Sequence, residues 1–141
     1  MRIMGLDVGE RTIGIAVSDP LGWTAQGVDT IRRKGDLKED LDHLKLVLDE
    51  YGVEEIVVGL PKNMNGTLGP SAVRAQEIAD VIAQETGLPI KMWDERLSTM
   101  AAEKTLLEGN VSRAKRKKVI DKMAAVIILQ SYLDFYANQK S

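Results

Sequence analysis

Three carboxylates in this chain stand where carboxylates are costly. Asp7 closes the apolar run Met1–Leu6, which only Arg2 interrupts. Such a run reads as a strand buried on both faces, and alternation puts Asp7 on the same face as Ile3 and Gly5. Asp94 and Glu95 repeat the pattern at the end of the apolar stretch Ile90–Trp93. As neighbours they point to opposite faces, so only one can join Asp7 directly. The other supports it or caps a helix. Asp121 heads the series Asp121, Ala125, Ile128, Tyr132, Phe135, the buried stripe of a helix. An ionised carboxylate at the edge of a buried element needs a compensating cation. Each acid also has a plainer reading. Asp7 can cap a turn, and Asp94 and Glu95 can lead into a helix whose N-terminus favours acids. Asp121 can pair with Lys117 or Lys118, an exposed pairing of about 0.3–0.5 kcal/mol. That pairing explains tolerance of the acid but not its inward placement.

Asp7, Glu95 and Asp121 together, with no cysteine in the chain and a single histidine, would make a site of hard oxygen donors. Such a site suits Mg²⁺ or Mn²⁺ and not zinc. Two such ions about 4 Å apart stabilise the attacking and leaving oxygens of a phosphodiester. The run Arg113–Lys122 carries six basic residues against Asp121 alone. Arg113, Lys115, Arg116, Lys117 and Lys118 would hold a polyanionic backbone beside the acids through phosphate contacts. The alternative is an ordinary solvated helix face.

The elements that would carry these groups read as follows. The first strand turns at Val8–Thr12 and returns as Gly14–Ser18. Trp23–Arg32 is a third antiparallel strand, with a bulge at Gly27. Leu37, Leu41, Leu44, Leu48 and Tyr51 mark an amphipathic helix over Asp36–Tyr51, stopped by Gly52. Glu55–Leu60 is a buried parallel strand. Pro61–Pro70 is a long polar loop at its C-terminal end, where open α/β sheets place ligands. In that loop Lys62, Asn63 and Asn65 are candidate nucleic-acid contacts, and Gly66 suits a left-handed turn. Arg96, beside the acids, is a further candidate contact. Ser71–Thr86 is a second helix, Ile90–Trp93 a fifth strand, and Ser98–Glu108 a third helix. A looser basic stretch then leads into a last helix over about Arg116–Ala137. Right-handed crossovers place the fourth and fifth strands beside the first. The expected fold is α/β: a mixed five-stranded sheet, first strand central, with helices on both faces.

Length and composition predict one domain over residues 1–141, with enough apolar content for a proper core. No window has the apolar length of a membrane span. The chain opens directly on a strand pattern, so no signal peptide is expected and the protein should be cytoplasmic. His43 reads as a solvated surface residue. The net charge of −2 does not by itself suggest a nucleic-acid binder, but the segregation of the basic run suggests a local anionic partner.

The motifs GLDVGERTIGIAVSD, IVVGLPKNMNGT, WDERLST and VIDKMAAVIILQSYL, in this order and spacing, resemble the YqgF/RuvX family over nearly the whole chain. The resemblance implies an RNase H-like fold and a metal-dependent nuclease related to Holliday junction resolvases. It also implies a role in maturing the 5′ end of precursor small-subunit ribosomal RNA. Asp7, Glu95 and Asp121 match the family's acids. In junction resolvases of the RuvC type the second carboxylate ends the fourth strand, where this chain has Leu60-Pro61. Here it follows the fifth, roughly 10 Å from the first, so Glu95 must reach across or the loop at Asn63 and Asn65 must help. Two other readings compete. One is a phosphate-binding domain like those of the actin, hexokinase and Hsp70 ATPases, whose DxG hairpin this chain shares. The other is a module that holds structured RNA or branched DNA without cutting it.

Overall fold

The computed structural model describes residues 1–97 and 113–140, with side chains over 1–97 and 123–136. Strands β1 (Arg2–Val8), β2 (Thr12–Ser18) and β3 (Ala25–Arg32) form an antiparallel meander. Helix α1 (Leu37–Tyr51), strand β4 (Val53–Leu60), helix α2 (Pro70–Thr86) and strand β5 (Ile90–Asp94) follow. A single 3-10 turn, Glu95–Leu97, closes β5, and the last helix, α3, spans Arg113–Lys140. The sheet order is β3-β2-β1-β4-β5, with β4 and β5 parallel to β1, so β1 is central as its apolar run requires. The helix expected over Ser98–Glu108 lies outside the described residues. Among the described residues no helix is long and apolar enough to cross a membrane.

The sheet buries both faces, and its two layers sort by alternation. Met4, Leu6, Val8, Ile56 and Val58 form one core with Leu41, Leu44 and Leu48 of α1 and Ala75, Ile78, Ala79 and Ile82 of α2. Ile3, Ala16, Val57 and Trp93 form the other with Ala125, Ile128, Leu129, Tyr132 and Leu133 of α3. Ile128 lies over Gly59 near the end of β4, while the Tyr132 hydroxyl donates to Glu55 near its start, at 3.0 Å. Helix α3 therefore runs back along β4. Its N-terminal half points toward the C-terminal ends of β1 and β4.

Gly5 lets that helix lie close. A methyl group at Gly5 would stand 2.6 Å from the Leu129 Cβ and 3.2 Å from the Ala125 carbonyl oxygen. Neither atom can rotate away, so the helix itself would have to shift. Gly5→Ala is expected to destabilise the protein by about 1–3 kcal/mol, the usual cost of overpacking. Urea denaturation measures it, and a midpoint equal to that of the parent protein would show that α3 can yield there freely.

Three boundaries differ from expectation for local reasons. Strand β3 starts at Ala25 and not at Trp23, because the Asp19 carboxylate draws the Trp23 and Thr24 amides into the preceding turn, at 2.6 and 3.2 Å. The bulge falls at Val28, beside Gly27: Ile15 pairs with Asp29 and Ala16 with Gly27. Among the described residues helix α3 spans Arg113–Lys140, so the basic stretch is helical from Arg113 onward, in keeping with the good helix propensity of Lys and Arg. On the α3 stripe, Phe135 remains 44% exposed and packs edge-on against Trp93. His43 is not simply solvated. Its Nε2 sits 2.7 Å from an Asp29 carboxylate oxygen, tying α1 to β3.

Candidate active site

Asp7 stands one residue from the end of β1, half-buried, and opposite Gly14 of β2. Its parity with Ile3 and Gly5 places it on the α3 face of the sheet. The turn that follows is tightly held. The Gly9 amide donates to the Thr12 carbonyl at 2.8 Å. Arg33 Nη1 donates to the Gly9 carbonyl at 3.1 Å while its Nε donates to Asp40 at 3.0 Å. Asp40 is a buried carboxylate on α1, only 6% exposed at its side chain. The pair therefore straps the turn after Asp7 to the first helix. Sequence reading missed this strap. Its one trace is Asp40 lying four residues before Leu44 and next to Leu41 of the apolar stripe.

Glu95 reaches across the gap that its strand position creates. Leu6 pairs with Val58, and one further step in that register sets Asp7 beside Gly59. A methyl group at Gly59 would stand 3.4 Å from the Glu95 carboxyl carbon and 2.5 Å from Ile128 Cδ1. The Glu95 carboxyl thus lies over Gly59, on the α3 face. Neighbouring strands are about 4.8 Å apart, so the group has moved back from β5 to the strand next to Asp7. Two local features allow this. The 3-10 turn at Glu95 redirects the chain, and Gly59 has no side chain to occupy the space. Gly59 was the signal in the sequence, standing inside an otherwise branched apolar run.

Asp94 is on the opposite face and is otherwise engaged. The Arg96 guanidinium grips it through Nη2 at 2.7 Å and Nε at 3.1 Å, and the Arg96 backbone amide adds a bond at 2.9 Å. This contact, with a smaller contribution from the Lys62 charge, holds the Asp94 carboxyl below its usual range. Of the two adjacent acids, Glu95 is therefore the one that accompanies Asp7. Arg96 also donates from Nη1 to the Met64 carbonyl at 3.3 Å.

The loop after β4 is short of regular structure but not of hydrogen bonds. Asn63 Nδ2 donates to the Thr67 hydroxyl at 2.9 Å, and Asn65 Oδ1 accepts from both the Thr67 amide and hydroxyl at 3.1 and 2.6 Å. Gly66 has φ +87°, as the tight reversal demands. Asn63 and Asn65, expected as contacts to the ligand, thus each give one side-chain atom to building the loop. Asn65→Ala should cost about 1 kcal/mol, the net value of a typical hydrogen bond. It should speed amide exchange at Thr67, and unchanged exchange there would show that the loop is held by other means.

Arg113, Lys115, Arg116, Lys117 and Lys118 fall on the first turns of the α3 backbone, and the helix carries position 121 one turn before Ala125. The side chains of these six residues, Asp121 included, lie outside the described residues. Among the described residues no three metal-ligating side chains gather into one cluster. Asp7 and Glu95 supply two carboxylates on one face.

The chain is similar to known proteins over nearly its whole length. A family model described as "RuvX: Holliday junction resolvase" matches residues 1–135. A relative from Clostridium novyi is 60% identical over 134 residues, covering 95% of this chain and 98% of its own. A second, from Desulfitobacterium hafniense, is 62% identical over 141 residues, covering 100% and 96%. Both are named provisionally as pre-16S rRNA nucleases. Among solved structures, Thermus thermophilus RuvC in complex with a Holliday junction substrate superposes with a TM-score of 0.62. It covers 99% of this chain and 96% of its own at 17% identity, a likeness of fold. The sheet order, the acid at the end of the central strand and a match spanning nearly every residue lead to one assignment: the chain belongs to the RuvX family, nucleases that act on nucleic acid from an RNase H-like fold.

Proposed function

We propose that this chain cuts precursor 16S rRNA near its 5′ end, using Mg²⁺ or Mn²⁺ held by Asp7, Glu95 and Asp121. The observation that carries this reading is the Glu95 carboxyl lying over Gly59, on the face and beside the strand that bear Asp7. Two carboxylates with no thiolate or imidazole among them are donors that fit a hard divalent cation. Held by these carboxylates, such a cation would supply positive charge to the phosphodiester oxygens. The chain's own part is to hold and orient. Asp7 and Glu95 present oxygens from elements fixed by the core, and Arg33 and Asp40 strap the turn behind Asp7. Lys62 and the basic first turns of α3 neutralise the backbone on either side. The choice of ribosomal precursor follows the names of relatives about 60% identical over nearly the whole chain.

The test is cleavage by the purified protein of precursor 16S rRNA, a four-way DNA junction and a single-stranded RNA, with Mn²⁺, Mg²⁺ or chelator. The expected result is a metal-dependent cut near the 5′ end of the precursor. Cleavage confined to the junction would move the substrate to branched DNA. Binding of the precursor without cleavage by any metal would overturn the reading in favour of a protein that only holds structured RNA.

A further inference from the structure

Arg96 looks at first like a phosphate contact, a cation beside the acids. Its surroundings give it another task. Four hydrogen bonds join it to Asp94, from Nη2, from the backbone amide and from Nε to each carboxylate oxygen. Its remaining terminal nitrogen, Nη1, donates to the Met64 carbonyl, 32 residues away in sequence. The same guanidinium lies 3.6 Å from where a side chain at Gly66 would begin. A guanidinium so committed presents one edge to a carboxylate and the other to a loop, which is how a planar fork braces two elements. Lys62, at the root of that loop, stays close enough for its charge to act on Asp94, yet Arg96 already satisfies that acid.

We propose that the Asp94–Arg96 pair is a strut that fixes the loop Lys62–Thr67 to the end of β5, so that Arg96 is a positioning residue and Lys62 the cation left to meet the substrate. This rests on the nuclease reading above for its consequence, but not for the strut itself. Against direct contact, Nε, Nη2 and Nη1 of Arg96 each already hold a protein acceptor, so a phosphate could take only the two N–H groups left over. Against mere local stability, Asp94 and Arg96 lie at the sheet's edge and are not part of either core. The loop, by contrast, follows the strand that carries the seat of Glu95.

The experiment is a double-mutant cycle: Asp94→Ala, Arg96→Ala and both together, in the full chain. Amide exchange at Gly66 and Thr67 is read without substrate, and KM and kcat with the nucleic acid that the protein cleaves. A strut predicts that all three variants exchange faster at those amides. It predicts a KM about tenfold higher in each, the scale of one charge-assisted contact, with the double variant no worse than either single and kcat within about twofold. Unchanged exchange in Asp94→Ala and Arg96→Ala would overturn the strut, whatever the nuclease does. Faster exchange with KM raised by Arg96→Ala but unchanged or lowered by Asp94→Ala would overturn the positioning role and return Arg96 to direct contact. If no nucleic acid is cut, exchange alone still decides the strut, and the nuclease reading fails separately.

Discussion

Asp7→Asn is expected to abolish cleavage, by at least about 10³-fold or roughly 4 kcal/mol of barrier, because it removes a charged donor from a site whose catalysis is mainly electrostatic. The substitution keeps the shape of the side chain, and Asp7 sits at a strand end opposite a glycine, so nothing in either core has to repack. Asn keeps the size of the side chain and one accepting oxygen, so the metal-free protein should stay folded. Thermal unfolding separates this from misfolding. In the parent protein Mn²⁺ at about 100 times its dissociation constant should stabilise by about 2.7 kcal/mol. In Asp7→Asn, with binding at least about tenfold weaker, that increment should fall to about 1.4 kcal/mol or less. Retained cleavage with an intact fold would remove Asp7 from the chemistry.

The second large effect concerns the strap behind Asp7. Arg33→Ala leaves the Asp40 carboxylate buried with its charge partner gone, in a side chain only 6% exposed. Breaking a buried pair from one side costs about 3–5 kcal/mol. It also removes the donor to the Gly9 carbonyl, so the turn after Asp7 loses a tether. Urea denaturation should show a midpoint lowered in proportion, with an unchanged slope. Replacing both partners, Arg33→Met with Asp40→Leu, should recover most of the loss, because the uncompensated charge is gone. A single variant within about 1 kcal/mol of the parent protein would mean that water reaches Asp40 and that the strap contributes little.

The fold was legible because its signals are strong and agree with one another. The apolar run of β1, the leucine spacing of α1 and the Gly52 stop all fall where backbone and burial put them. The order of strands follows from right-handed crossovers alone. The site was legible to the level of residue type. Asp7 announces itself as an acid ending a buried strand. What sequence could not supply was which atoms meet. Whether Asp94 or Glu95 accompanies Asp7 depends on a 3-10 turn and on a bare glycine one strand away, and neither has a period to detect. Arg33 and Asp40 are seven residues apart, yet their joint hold on Gly9 is a fact of tertiary packing. Asn63, Asn65 and Arg96 illustrate the opposite difficulty. Polar residues beside a site read as ligand contacts, but these side chains also serve the loop: Asn65 accepts from the Thr67 amide, Arg96 donates to the Met64 carbonyl and Asn63 donates to the Thr67 hydroxyl.

Whether Asp7 and Glu95 hold a divalent cation across the β1–β4 seam, as proposed, is tested most directly by Mn²⁺ titration by calorimetry. Three proteins suffice: the parent, Asp7→Asn and Glu95→Gln, each shown to be folded by its unfolding transition. If the two carboxylates converge, both variants should bind Mn²⁺ at least about tenfold more weakly than the parent, the usual scale for loss of a group that holds or orients a metal. If Glu95→Gln binds Mn²⁺ as tightly as the parent while Asp7→Asn does not, Glu95 is no ligand, and its place over Gly59 is packing alone.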